Sequence, residues 1–141
     1  MKFLYTIFII SLFNTCDSHK VSSKNENINE SKLFTDFFDK FSKDSIFQKK
    51  RVLFPLKYTS EEIEEGLVHE TIDESKWYYI DFNKDKFANS LSEDAYSFEI
   101  IKKKDKVEYI RKGIDNGINV IFVFKLKDGR WYLTSVSDLS T

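Results

Sequence analysis

The chain is 141 residues long, with 22 basic and 23 acidic residues and a formal net charge of −1. That balance excludes a nucleic-acid binder, which needs a basic face, and the length suits one folded domain. One cysteine and four scattered glycines exclude an internal disulfide, a paired-cysteine metal site and a Gly-rich phosphate loop.

From the N-terminus, Met1-Lys2 is a short positive start. Phe3 to Phe13 is an apolar run too short for a bilayer core, which needs roughly 20 residues. The polar pair Asn14-Thr15 follows, then Cys16. This is the layout of a secretory signal ending in a lipid-attachment cysteine. Residues 1–15 are therefore expected to be a lipoprotein signal peptide and Cys16 the acylated residue. Phe13, Asn14 and Thr15 depart from the Leu, Ala and Gly/Ser usual before such a cysteine. Plain secretion with nearby cleavage and an uncleaved anchor are the alternatives. Acylation would remove a free thiol that is a liability in an oxidising compartment, and two or more acyl chains hold a protein stably. The expected location is extracytoplasmic, on the bacterial cell envelope, at the outer membrane or periplasmic face. Residues 16–30 are polar and read as a flexible tether, in which His19 is inert. Residues 31–141 are expected to form a single α+β domain.

Ser31 is placed to cap a helix whose apolar stripe is Leu33, Phe34, Phe37, Phe38 and Phe41, the spacing of an amphipathic helix over a large apolar surface. A second helix is expected over Asp44–Arg51, its basic end favoured by the helix dipole. Val52–Tyr58 alternates as a strand, with Pro55 marking an edge or a bulge. Thr59-Ser60-Glu61-Glu62 has capping-box spacing, so a single helical turn ended by Gly66 is expected. The glutamates at 61, 62, 64 and 65 read as a solvated face, with His69 in a connection. Lys76–Asp81 reads as a strand and Phe82–Ser92 as a helical turn or loop. Ala95–Ile101, Val107–Arg111, Ile118–Leu126 and Trp131–Val136 follow as strands. Lys102–Asp105, Gly113–Gly117 and the Asp128-Gly129 hairpin signal separate them. The lysines at 102–106 read as a solvated hairpin tip. Ile118–Leu126 is apolar on both faces, which predicts a central strand covered on both sides. The whole is helices first, then an antiparallel meander packed against them.

Motifs that carry chemistry are scarce. Asp81, Asn83 and Asp85 match positions one, three and five of a calcium loop, but Lys86 stands where glycine is needed and Ser92 where glutamate is needed. The stretch is read as an ordinary polar loop, and no metal or cofactor is expected. With only His19 and His69, a Ser-His-Asp or Cys-His site is not expected. Glu108 and Tyr109 are strand neighbours that point to opposite faces. Neither they nor Asp81 with Tyr79 is expected to share a cavity, so no catalytic residue is assigned. The 14 Phe, 7 Tyr and 2 Trp read first as core packing. The alternative is a concave ligand-binding pocket lined by Trp77, Tyr79, Tyr109 and Trp131, whose rings offer apolar bodies with polar tips.

The phenylalanine stripe, Phe47-Gln48, Arg51-Val52-Leu53-Phe54-Pro55-Leu56, the ending Asp128-Gly129-Arg130-Trp131-Tyr132-Leu133 and Asp138 together resemble a family of small bacterial lipoproteins, domain of unknown function 4348. The resemblance runs from Leu33 to Ser140; the acidic Thr59–Glu74 stretch departs from it. It implies the nuclear-transport-factor-2-like, or cystatin-like, fold, in which helices pack on a strongly curved antiparallel sheet to form a cone. That superfamily holds binding modules as well as isomerases and dehydratases, so it implies no reaction. The expected role is a non-catalytic module binding a small molecule, a glycan or an envelope protein. An isomerase- or dehydratase-like enzyme with a carboxylate in the cone is the runner-up, and a dimerising structural envelope protein the third reading. The expected partners are the membrane, through the lipid anchor, the ligand, and a second copy in a homodimer.

Overall fold

The structure, a computed structural model, describes the backbone of residues 23–141 and side chains from residue 33 onward. The expected signal peptide, Cys16 and the first part of the tether lie outside the described residues. Helix α1 spans Ser23–Lys43. It starts ahead of the expected Ser31 and takes in the second half of the expected tether. Lys24, Glu26 and Glu30 tolerate a helix, but without an apolar stripe the segment gives periodicity nothing to report. Helix α2, Ser45–Lys50, is capped by Asp44, whose carboxylate accepts from the Phe47 N–H at 2.9 Å.

Six strands follow among the described residues: β1 (Val52–Glu62), β2 (Gly66–Ile72), β3 (Tyr96–Lys102), β4 (Lys106–Gly113), β5 (Asn119–Lys127) and β6 (Arg130–Asp138). A 3₁₀ turn at Glu74–Lys76 and a longer 3₁₀ strap at Phe82–Ser90 join β2 to β3. The sheet order is β2-β1-β6-β5-β4-β3. All pairings are antiparallel except β1 with β6, which run parallel. The sheet is therefore mixed, because the last strand returns beside the first. Pro55 lies where the β1–β6 register shifts, between Val52 and Lys57, and its peptide bond with Phe54 is cis.

Two expected elements take another form. Thr59–Glu62 does not start a helical turn; it extends β1, and Gly66, at φ +73°, opens β2. Thr59 suits a strand, and its hydroxyl pairs across the hairpin with His69 Nδ1 at 3.0 Å. Lys76–Asp81 does not form a strand either. Its backbone is served by a side chain: Gln48 Nε2 donates to the Ile80 carbonyl at 2.8 Å, and the Ile80 N–H donates back to Gln48 Oε1 at 2.9 Å. One buried glutamine stands in for a neighbouring strand. The Asp128-Gly129 turn forms as expected, both residues at positive φ.

The core lies between α1 and the inner face of the sheet. Phe34 and Phe41 are fully buried, Phe37 and Phe38 partly, and Leu33 stays 51% exposed at the edge of the stripe. Phe124 of β5 sits within 6 Å of all four phenylalanine rings, closest to Phe41 at 5.2 Å. The β5–β6 register shifts between Val123 and Phe124, and Thr134 is the extra residue, its hydroxyl donating to the Val123 carbonyl at 3.1 Å. That bulge lets Leu133 and Val136 both face inward although they are an odd number of residues apart. Strand β5 is central, as expected, but among the described residues it is covered on one side only. Ile121 and Val123, with Ile101 and Ile110 beside them, are half-buried on the outer face. No described helix packs there, because every helical segment docks on the inner face or along β1.

Candidate functional site

The strap is the element that builds a site. In a 3₁₀ helix, residues three apart eclipse one another. Phe82, Asp85 and Ala88 have that spacing and are its buried residues. Asp81 starts the strap by accepting from the Asn83 N–H at 3.1 Å. Asn83 Nδ2 then donates to the Ser42 carbonyl at 2.9 Å, tying the strap to the end of α1.

Asp85 is only 3% exposed. Its two oxygens accept four hydrogen bonds. Oδ1 takes the Tyr96 hydroxyl at 2.7 Å and Arg111 Nη2 at 3.0 Å; Oδ2 takes the Tyr109 hydroxyl at 2.7 Å and Arg111 Nε at 2.8 Å. The guanidinium lies against the rings of Phe82 and Phe122, 5.1 and 5.0 Å from their centroids. Burial, followed by the hydrogen bond to Asp85, pushes the Tyr96 phenol up to about 12 and also raises that of Tyr109. Both tyrosines are therefore fixed donors at any physiological pH.

Beside this network, α1, the strap and the β3–β4 edge line a half-open cavity of about 180 Å³. Phe34, Phe38, Phe82, Phe98, Ile100 and Tyr109 give it apolar walls, and Asp39, Lys86 and Lys102 stand at its rim. Tyr109 serves both sites. Its ring is stacked between Phe38 and Phe98, at 5.1 and 5.2 Å, while its hydroxyl is held on Asp85.

The four aromatics read from the sequence as one pocket do not meet. Tyr109 lines this cavity. Trp131 is buried in the core, edge-on to Phe34 at 5.0 Å. Trp77 and Tyr79 line a separate groove with α2. The irregular 77–81 backbone explains the split, since residues off the sheet do not share its inner face. Asp85, Arg111 and Tyr96 were missed. The available signal was the triplet spacing of Phe82, Asp85 and Ala88, with Tyr109 and Arg111 two apart on one strand. Asp81 and Asp85, grouped in the calcium-loop reading, serve different ends: one caps the strap and the other faces inward.

The chain matches the family described as domain of unknown function (DUF4348) over residues 16–138. Among solved structures it resembles an NTF2-like protein from Bacteroides fragilis, at 26% identity and TM-score 0.54, covering 77% of this chain and 47% of that one. The chain thus spans about half of that protein's length. It also resembles a cystatin-like protein from Bacteroides caccae, at 22% identity and TM-score 0.57, covering 74% of each. A protein from Bacteroides uniformis matches at 25% identity and TM-score 0.54, covering 73% of this chain and 74% of that one. None of the curated proteins matches. With the phenylalanine helix seated on a sheet of this order, the chain belongs to the DUF4348 family and carries the NTF2-like, cystatin-like fold.

Proposed function

We propose that this chain is a bacterial envelope lipoprotein, anchored through Cys16, whose domain is a non-catalytic binding module. Its cavity takes a small apolar group with a polar end. The observation that carries the reading is the saturation of Asp85. A carboxylate has about four acceptor positions, and here all four are used, leaving none for a substrate proton. Asp39, the carboxylate at the cavity rim, is exposed and paired with Lys43. Together these argue against the isomerase- or dehydratase-like alternative, which needs a carboxylate held in the cavity and free to act as a base. The cavity, at about 180 Å³, is close to the ~150 Å³ apolar hole that admits benzene, so the fitting group is one ring or a short acyl segment.

The test is a thermal-shift and NMR screen of the full chain in detergent against single-ring and short-chain carboxylates, amines and alcohols. Binding should move the amides of Phe98 and Ile100. A hit that moves only distant residues, or no hit, would sink the cavity reading. Palmitate labelling lost in Cys16→Ala tests the anchor.

The outer face favours a second reading alongside the first. Ile110 pairs with Ile121 there, and Ile101 and Val123 flank Glu108, which is paired with Lys106; a half-buried aliphatic cluster with an ion pair in it suits a second copy of the chain. Sedimentation that finds only monomer at high concentration would remove it.

A further inference from the structure

We infer that the groove between α2 and residues 74–79 binds a sugar ring carrying a carboxylate, as in an acidic saccharide. The groove has a volume of about 370 Å³, within the usual range for small-ligand sites. It is separate from the cavity above, so the two readings stand or fall independently.

Its floor is aromatic and held rigidly. Tyr79 is 41% exposed, yet its hydroxyl is already committed, donating to the Ser42 carbonyl at 2.6 Å. The phenol therefore presents its ring, not its oxygen. Trp77 is fixed by an edge contact with Phe54 at 6.0 Å. The backbone between them and the strap is held by the buried Gln48. Ile46, 69% exposed, supplies an aliphatic side. An unpaired segment locked by a buried amide so as to keep aromatic faces in reach of solvent is a prepared platform, and C–H faces of a sugar ring stack on such rings.

The wall carries both signs: Glu74 lines it beside two lysines, and burial, then the nearby Asp81 and Asp44, raise the Tyr79 phenol. Lys49 and Lys50 end α2 and line the groove. Lys49 is shared with Glu74 at 3.6 Å. Lys50 has no ion pair or hydrogen bond among the described residues, and its ammonium is available for a carboxylate. A shallow groove with one free cation suits a ring whose other hydroxyls stay in water; a lipid tail would require deeper apolar enclosure.

The experiment is calorimetric titration of the full chain in detergent with galacturonate oligosaccharides, matched neutral galactose oligosaccharides and inorganic phosphate. Acidic oligosaccharides should bind, and Lys50→Glu should weaken them about fivefold or more, the scale of one exposed charge-assisted contact. Lys125→Glu on β5 should leave binding unchanged. Tyr79→Ala, which removes the ring, and Ile46→Glu should each reduce it. Equal affinity for the neutral series, equal competition by phosphate, insensitivity to Lys50→Glu, or no binding at millimolar ligand would each overturn the assignment.

Discussion

Asp85 holds three partners from two strands, and removing it strands all of them. Arg111, its side chain 17% exposed, would keep a charge among Phe82, Phe122 and Tyr96, and the two phenols would lose their acceptor. Breaking one side of a buried pair costs about 3–5 kcal/mol, so Asp85→Ala should lower the unfolding free energy by roughly that amount in urea titrations. Replacing both charges, in Asp85→Ala/Arg111→Met, should cost less than the sum of the two single changes; additivity would mean the pair is not coupled. The phenols add a pH dependence. Tyr96 titrates at about 12 when folded against its usual 10.0, so the folded state binds its proton more tightly. That stabilisation is complete below pH 10 and is lost as pH rises toward 12. The urea midpoint of the wild type should therefore fall more steeply over that window than that of Tyr96→Phe; parallel curves would contradict the assignment. The residue order carried only the triplet spacing of Phe82, Asp85 and Ala88 and the i, i+2 pair Tyr109 and Arg111. Asp85 reads as the fifth position of a calcium-like loop until the 3₁₀ turn points it inward and β4 brings Tyr109 and Arg111 to meet it.

At the scale of elements, legibility follows burial. The α1 stripe and strands β4 to β6 repeat at periods that burial imposes, and those elements appear where expected; the mostly exposed edge strand β3 was legible from the alternation of Tyr96, Phe98 and Ile100 instead. Phe41, fully buried against Phe124, should lose about 3–5 kcal/mol on truncation to Ala, whereas Leu33→Ala should change stability little, because half of its surface is already in water. Strand β2, also at an edge and mostly exposed, lacks the alternating large apolar residues that marked β3, and a cap-like Thr-Ser-x-x preceded it. The 77–81 segment misled in the opposite direction. Its aromatics have strand propensity, but its backbone partner is the side chain of Gln48, which no local pattern reports. Gln48→Ala should leave the Phe41 and Ile80 carbonyls and the Ile80 N–H without their partner. Each buried orphan costs about 1–3 kcal/mol. Hydrogen exchange at Ile80 should accelerate far more than at the β4 and β5 amides. Uniform acceleration would mean that the glutamine acts on global stability alone.

The whole molecule is a sheet with two differently used faces, and the sequence carried a trace of both. The inner face holds the helix and the cavity, and its aromatics announced a core. The outer face was mistaken for a second buried side, because Ile121 and Val123 make β5 apolar all round. What the chain order could not supply was the parallel pairing of β1 with β6, a long-range contact with no local signature, nor the separation of Trp77 and Tyr79 from Tyr109. The two faces make a paired prediction. Ile100 lines the cavity from the edge strand β3 and is partly exposed, so Ile100→Trp should fill the hole without disturbing the core behind it. Ligand-induced stabilisation should disappear while the melting temperature of the free protein holds. Ile110 lies one residue from Tyr109 on the opposite face, so Ile110→Lys should place charge in any sheet-to-sheet contact. It should shift sedimentation toward monomer and leave ligand binding intact. If either variant abolished both properties, the faces would not be independent, and the cavity and the outer apolar surface would have to be treated as a single coupled site.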